Sequence, residues 1–271
     1  MLVPIEIARA EEWRQAQGVA EIALEAEPLA GGMLCFGGPG SWANEACNLA
    51  MDGPISDAEL DRVLAFYHER GVRPEVEVAP YADRSLVEGL ARRGFVLDEF
   101  ETVMATWVDS SETVADRLPW DTAHGIEMRR VLPTGDDDAD WRFLELVREA
   151  FDDPDTPESR QVGLNTMRHP RTANFGAFEG ERLVASSGME VVTDGPHGPI
   201  ACLFGMATRE SYRRRGIQQA LIVARLAHAA SLGCRLVCIH TEPGIPTERN
   251  ARRLGFEIAY TKVCLVGPEP A

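Results

Sequence analysis

One pattern occurs twice in the 271 residues and constrains the fold more than composition does. A helical segment ends in glycine, at Gly71 and again at Gly233, and a short apolar strand follows, Glu75–Val78 and then Leu236–His240. Each strand runs into a proline-containing loop and a second helix ending in arginines. A Gly-Phe pair comes next (Gly94-Phe95, Gly255-Phe256), then a closing apolar strand. The two glycines of a set are 23 residues apart in the first copy and 22 in the second. An ordered set of elements at matched spacing implies an internal duplication. Strands alternating with helices imply an α/β chain built on a mixed sheet, as two related domains in tandem. A polar stretch over 108–125, with one proline and a final glycine, reads as the linker. The expected domains are therefore 1–118 and 119–271.

The second half has the clearer periodicity. Strands are expected at Ile126–Val131, Asn174–Phe178, Leu183–Val192, Ile200–Thr208, Arg235–His240 and Phe256–Val266. Helices are expected at Asp138–Phe151, Pro157–Met167, Gly216–Leu232 and Thr247–Leu254.

Composition excludes several classes of function. The net charge is −16, which argues against a nucleic-acid binder. Residues 1–118 carry 22 acids and 9 arginines, whereas 119–271 carry 21 acids and 18 bases. So acidic a first half serves either solubility or long-range attraction of a cationic substrate. No run approaches the roughly 18 apolar residues of a membrane span. The start, MLVPIEIARAEEW, lacks the basic and apolar parts of a secretory signal, so a cytoplasmic location is expected. Six cysteines among apolar neighbours read as buried thiols. Cys234, Cys238 and His240 lack paired zinc-ligand spacing, and no metal is expected.

The stretch carrying chemistry is Met206–Leu221: an apolar strand, a basic turn, Gly216 and a long helix. The first N–H groups of a helix have no partners within it, and the macrodipole makes that end positive. Gly216 allows a tight turn and close approach of a ligand to the backbone. Arg213, Arg214 and Arg215 add positive charge where the dipole disfavours it, which an ordinary solvated helix start does not explain. The combination suits a pyrophosphate.

At these residues the chain resembles the GNAT superfamily of N-acetyltransferases. Arg213-Arg214-Arg215-Gly216-Ile217-Gln218 is similar to the family's R/Q-x-x-G-x-G/A signature, whose amides hold the pyrophosphate of coenzyme A. The resemblance covers roughly residues 126–271 and implies acetyl-CoA as co-substrate. It implies that the preceding strand end, Met206, Ala207 and Thr208, pairs with the pantetheine arm. It also implies that Asn250, ahead of Gly255-Phe256, contacts the cofactor. The sequence departs from the family at three places. Gln218 replaces Gly or Ala, Ala251 stands where a tyrosine acid is common, and Ile200–Ala207 lacks the frequent glutamate base.

Other groups must then handle protons. His240, whose imidazole titrates near neutrality, and Glu242 follow the strand beside the expected acceptor site. Tyr260 on the last strand and Glu190 on a neighbouring one are further candidates. The segment Gly37-Gly38-Pro39-Gly40-Ser41-Trp42 either lines a substrate pocket or is a turn anchored by its aromatic. In the first half the residues before the matching helix are Asp52–Asp57, whose aspartates repel phosphate, so that copy is expected to be degenerate. The expected activity is acetyl transfer from acetyl-CoA to a primary amine, on a small molecule or a peptide. The alternatives are an acyl-CoA sensor without turnover and, against the charge, a DNA-associated regulator. The acceptor and the oligomeric state are not legible.

Overall fold

The computed structural model describes residues 3–109, 114–118 and 123–270. The expected linker falls partly on 110–113 and 119–122, outside the described residues. The chain folds into two compact units that are not contiguous in sequence. Unit 1 contains 1–102, 154–162 and 259–271; unit 2 contains 103–153 and 163–258.

Unit 1 opens with helix α1 (Pro4–Ile22), a hairpin of β1 (Glu25–Leu29) and β2 (Gly32–Phe36), and the two-residue β3 (Ala46–Cys47). Helix α2 (Asp57–His68), strand β4 (Glu75–Val78), helix α3 (Arg84–Arg92) and the first part of β5 (Val96–Trp107) follow. Ser56 begins α2 with a capping box: its hydroxyl accepts the Glu59 amide, and the Glu59 carboxylate accepts the Ser56 amide. Asp83 caps α3. The two helices pack closely because Gly89 has no side chain; a Cβ there would lie 2.1 Å from Leu60 Cδ1. Strands β2 and β3 are antiparallel, and β3 runs parallel to β4. On its other edge β4 pairs antiparallel with the end of the last strand, β11 (Glu257–Val266), matching Val78 with Val263 and Glu75 with Val266. The C-terminal residues thus complete the sheet of the N-terminal unit. Leu60, Val63, Phe66, Tyr67, Leu86 and Leu90 fill the core beneath it.

Unit 2 holds β6 (Glu127–Val131), α4 (Asp137–Phe151), the second half of α5 (Pro157–Arg168), β7 (Thr172–Glu179), β8 (Arg182–Val192) and β9 (Ile200–Thr208). It continues with a 3-10 turn (Glu210–Tyr212), α6 (Ile217–Ser231), β10 (Leu236–Thr241) and α7 (Pro246–Arg253). Strands β6 to β9 form an antiparallel meander, β10 lies parallel to β9, and the end of β5 follows β10. Val108 N–H donates to Arg235 O just beyond that last pairing. Apolar positions of α6, Leu221, Ile222, Leu226 and Ala229, are sealed against Ala185, Met189, Leu203 and Val237 of the strands.

Each expected strand and helix of the second half is present within two residues of its expected limits. The order α2–β4–α3–β5 repeats as α6–β10–α7–β11. All six cysteines are buried free thiols. No helix among the described residues is long and apolar enough to cross a membrane.

Candidate functional site

The β9–β10 ladder is short. It runs from Ile200 opposite Leu236 to Leu203 opposite Ile239 and stops, while β9 continues to Thr208. Beyond the stop, β9 keeps its antiparallel neighbour: Ala207 lies opposite Ser186 and Thr208 opposite Ala185. Between these pairs and Phe204–Gly188 the register shifts, because three residues of β9 span what two of β8 span. Gly205 takes up the extra residue at φ +56°, a left-handed conformation that glycine adopts without strain. Gly188 leaves room for the Phe204 ring, since a Cβ there would lie 2.4 Å from Phe204 Cε2. The bulge bends β9 and leaves its last residues, Met206, Ala207 and Thr208, paired on one side only. An extended ligand can add to such an edge as a strand does.

The chain then turns through Arg209 and the 3-10 segment into Arg213–Gly216. Arg214 (φ +64°) and Gly216 (φ +76°) are left-handed, and alternation of this kind points successive N–H groups toward one concavity. Gly216 is the N-cap of α6; no side chain caps that helix, and no acid lies in its first turn. Arg213, Arg214 and Arg215 are exposed, while Ile217 is anchored in the core. Arg215 lies 4.7 Å from the centre of the Tyr212 ring, whose hydroxyl donates to Glu179.

A second helix closes the same end. Gln218 Nε2 donates to Thr247 Oγ1 at 3.0 Å, and Asn250 Nδ2 donates to Gln218 Oε1. Gln219 Nε2 lies 3.5 Å from Asn250 Oδ1. Two residues singled out from the sequence 32 positions apart are therefore bonded, with Thr247 and Gln219 as partners the sequence did not single out. An open cleft of about 680 Å³ adjoins the basic turn, lined by Leu146, Glu149, Arg182, Thr208, Arg209 and Arg213 among others.

Residues 133–259 match the family profile described as "Acetyltransferase (GNAT) domain". This segment is a GNAT domain. No curated protein matches the chain. Among solved structures, a GCN5-related N-acetyltransferase from Kribbella flavida aligns over 99% of this chain and 96% of its own, at 18% identity and TM-score 0.70. A tandem GNAT protein from the clavulanic acid biosynthesis pathway aligns over 88% and 78%, at 16% identity and TM-score 0.62. These likenesses establish a tandem GNAT fold.

Within the GNAT domain, Arg225 on α6 is fully buried. Its Nε donates to Leu221 O, and its Nη1 donates to Gly188 O at 2.7 Å and lies 3.4 Å from Phe204 O. Its Nη2 is 3.7 Å from Met206 Sδ. Burial pushes its pKa down to about 9, with a small opposing effect from Cys202, so it stays charged at neutral pH. An arginine within a helical stretch carries no sequence signal of burial.

The proton-handling candidates are dispersed. His240 is half-buried near the end of β10, beyond the last β9 pairing, and Glu242 is exposed in the following loop. Ala251, at the common tyrosine position, is fully buried. Glu190 is buried and accepts from Arg171 Nε at 3.0 Å. Tyr260 lies in unit 1, where its hydroxyl donates to Glu12 Oε1 at 2.6 Å.

That bond belongs to a buried network in unit 1. Lys262, the only lysine of the chain, contacts Glu77, lies 3.2 Å from Glu101 and 3.7 Å from Glu12, and donates to Gln15 Oε1. Gln15 in turn donates to Glu45 and Glu77. Burial alone would lower the Lys262 ammonium, but Glu12, Glu77 and Glu101 outweigh it and hold its pKa well above the usual value. Burial and repulsion from Glu77 push the Glu45 carboxyl well up. Burial, then Glu77, Glu99, Asp98 and Glu101, pushes Glu75 up to about 7.

The glycine loop is also in unit 1. Its anchor is Asn44, which accepts from the Gly37 amide and donates to Gly38 O. Trp42 is 48% exposed, so the indole does not anchor the turn.

Proposed function

We propose that the chain transfers an acetyl group from acetyl-CoA to a primary amine, with the co-substrate held in the GNAT domain. The observation that carries this reading is the uncapped, left-handed start of α6, flanked by three arginines and next to the one-sided edge Met206–Thr208. In this reading the amides around Arg213, Arg214, Arg215, Gly216, Ile217 and Gln218 hold the pyrophosphate. Met206, Ala207 and Thr208 hold the pantetheine arm, and Asn250 orients the Gln218 amide. The edge would keep the thioester in line with an amine entering beside β10, and positioning of this kind supplies much of the rate of acyl transfer. His240 takes the amine proton and Glu242 orients the cationic acceptor. The Tyr260 hydroxyl is already donated to Glu12 and is less suited to protonating a thiolate.

We extend the reading to the whole chain as two related halves, 1–118 and 119–271, of which the second binds the co-substrate. The acceptor is a small-molecule or peptide amine and the setting is cytoplasmic; no nucleic acid, membrane or metal takes part. One observation favours a second reading, an acyl-CoA-binding sensor: buried Ala251 occupies the place of the family's usual acid. A screen of diverse amines separates the two. Release of free thiol from acetyl-CoA that depends on an added amine supports the enzyme. Binding of acetyl-CoA with no amine-dependent release supports the sensor.

A further inference from the structure

We propose that Arg225 is a positioning residue that locks the bulge in β9 and thereby sets the strand edge against which the acyl-pantetheine arm is held. The inference rests on the acetyl-CoA reading and adds a residue to it. A buried guanidinium is costly unless it is paired, and an apolar side chain would fill the same core without that cost. Among the described residues no carboxylate neutralises Arg225; only Cys202 contributes a favourable charge effect. Its contacts are instead with acceptors on three elements: Leu221 O on α6, Gly188 O on β8, and Phe204 O with Met206 Sδ on β9.

These acceptors straddle the register shift. Gly188 and Phe204 are the pair on one side of it, and Met206 is adjacent to the first pair on the other. A one-residue slip in an antiparallel ladder moves every side chain beyond it to the opposite face. Loss of the bulge would therefore turn Met206, Ala207 and Thr208 over and redirect their N–H and C=O groups. The guanidinium holds the shift from the helix side, and relaxing the bulge would cost it those acceptors. The pyrophosphate cradle lies at the N-terminal end of the same helix, roughly 13 Å away for nine residues of helix, and does not depend on this clamp.

The experiment compares two probes on wild type, Arg225→Met and Arg225→Lys. Acetyl-CoA reports the whole site; 3′-phosphoadenosine 5′-diphosphate carries the pyrophosphate without the arm. For Arg225→Met the expected result is acetyl-CoA affinity weakened about tenfold or more, with affinity for the shorter probe changed less than about twofold. Arg225→Lys, which keeps the charge but reaches fewer acceptors, should recover part of the loss. Unchanged acetyl-CoA affinity in the methionine variant overturns the proposal, and so does an equal loss for both probes. If that variant does not fold, the lysine variant decides by the same comparison. Wild type that binds neither probe overturns the acetyl-CoA reading itself, an outcome distinct from failure of the clamp.

Discussion

Helices α2 and α6 hold the same place in two copies of one plan, and their first turns are built in opposite ways. The start of α2 is closed by its own side chains, with Ser56 and Glu59 bonding each other's amides and Asp57 in the first turn. The start of α6 has a left-handed glycine, no side-chain cap and no acid in its first turn, and arginines lead into it. The contrast separates two copies of one fold by a few residues at a helix start. A helix start spends its free amides on its own chain for stability or leaves them for a ligand, and a few residues decide which.

The sharpest way to break the contrast is to give α6 the character of α2. Gly216→Asp puts a side chain at φ +76° and a carboxylate where phosphate would sit. Affinity for acetyl-CoA should fall by at least ~100-fold, and the rise in melting temperature that acetyl-CoA gives wild type should vanish. An undiminished rise in the variant would remove the anion-binding assignment.

The second test asks whether the chemistry also stays in the C-terminal copy. His240→Ala should lower turnover roughly 10²-fold while leaving acetyl-CoA affinity intact. In wild type the rate should rise with pH through the imidazole titration, and the variant should lose that limb. An unaltered pH profile with the true acceptor would show that the amine loses its proton to water.

A third test concerns a half-buried acid on β4 of unit 1. Glu75 is pushed up to about 7, above its ordinary value near 4.5. Between those values the folded state holds a proton that the unfolded state has released, so stability falls as pH rises through the window. The loss from this group should be roughly 2 kcal/mol after allowing for partial exposure. Hydrogen exchange of the β4 amides at pH 5 and pH 7.5 would measure it. Glu75→Gln should flatten the difference, and an equal difference in the variant would assign it to other groups.

The smallest effect is the converse of the first. Ser56→Ala should cost about 1 kcal/mol of stability in unit 1 with no change in acetyl-CoA affinity. A change in affinity would show that the first copy takes part in binding.

The α6 start was legible because its chemistry is local: strand, arginines, glycine and helix are adjacent in sequence. Asn250 was singled out only through the family resemblance, and the fold brings it into a bond with Gln218 at the start of α6. Arg225 was not legible, because an arginine in a helix ordinarily lies at the surface, and the carbonyls of Leu221, Gly188 and Phe204 that retain it inside come together only in the fold. The pairing of β11 was not legible either. The alternation in Phe256–Val266 announces a strand but carries no information on which neighbour it joins, and Tyr260 could be placed only once Glu12 was known to face it.

The strand order of unit 1 has a consequence for biosynthesis. Its β4 edge is covered by residues 263–266, and Lys262 is the cation among its buried acids. A ribosome makes these residues after all of unit 2, so the N-terminal unit cannot finish folding until they have emerged, although most of it emerged first. Until then β4 is an open edge able to pair with another chain, and Glu12, Glu77 and Glu101 are without the Lys262 ammonium. Termination near residue 258 should therefore damage the N-terminal unit more than the C-terminal one, and only chains that include residues 259–266 should accumulate in soluble form.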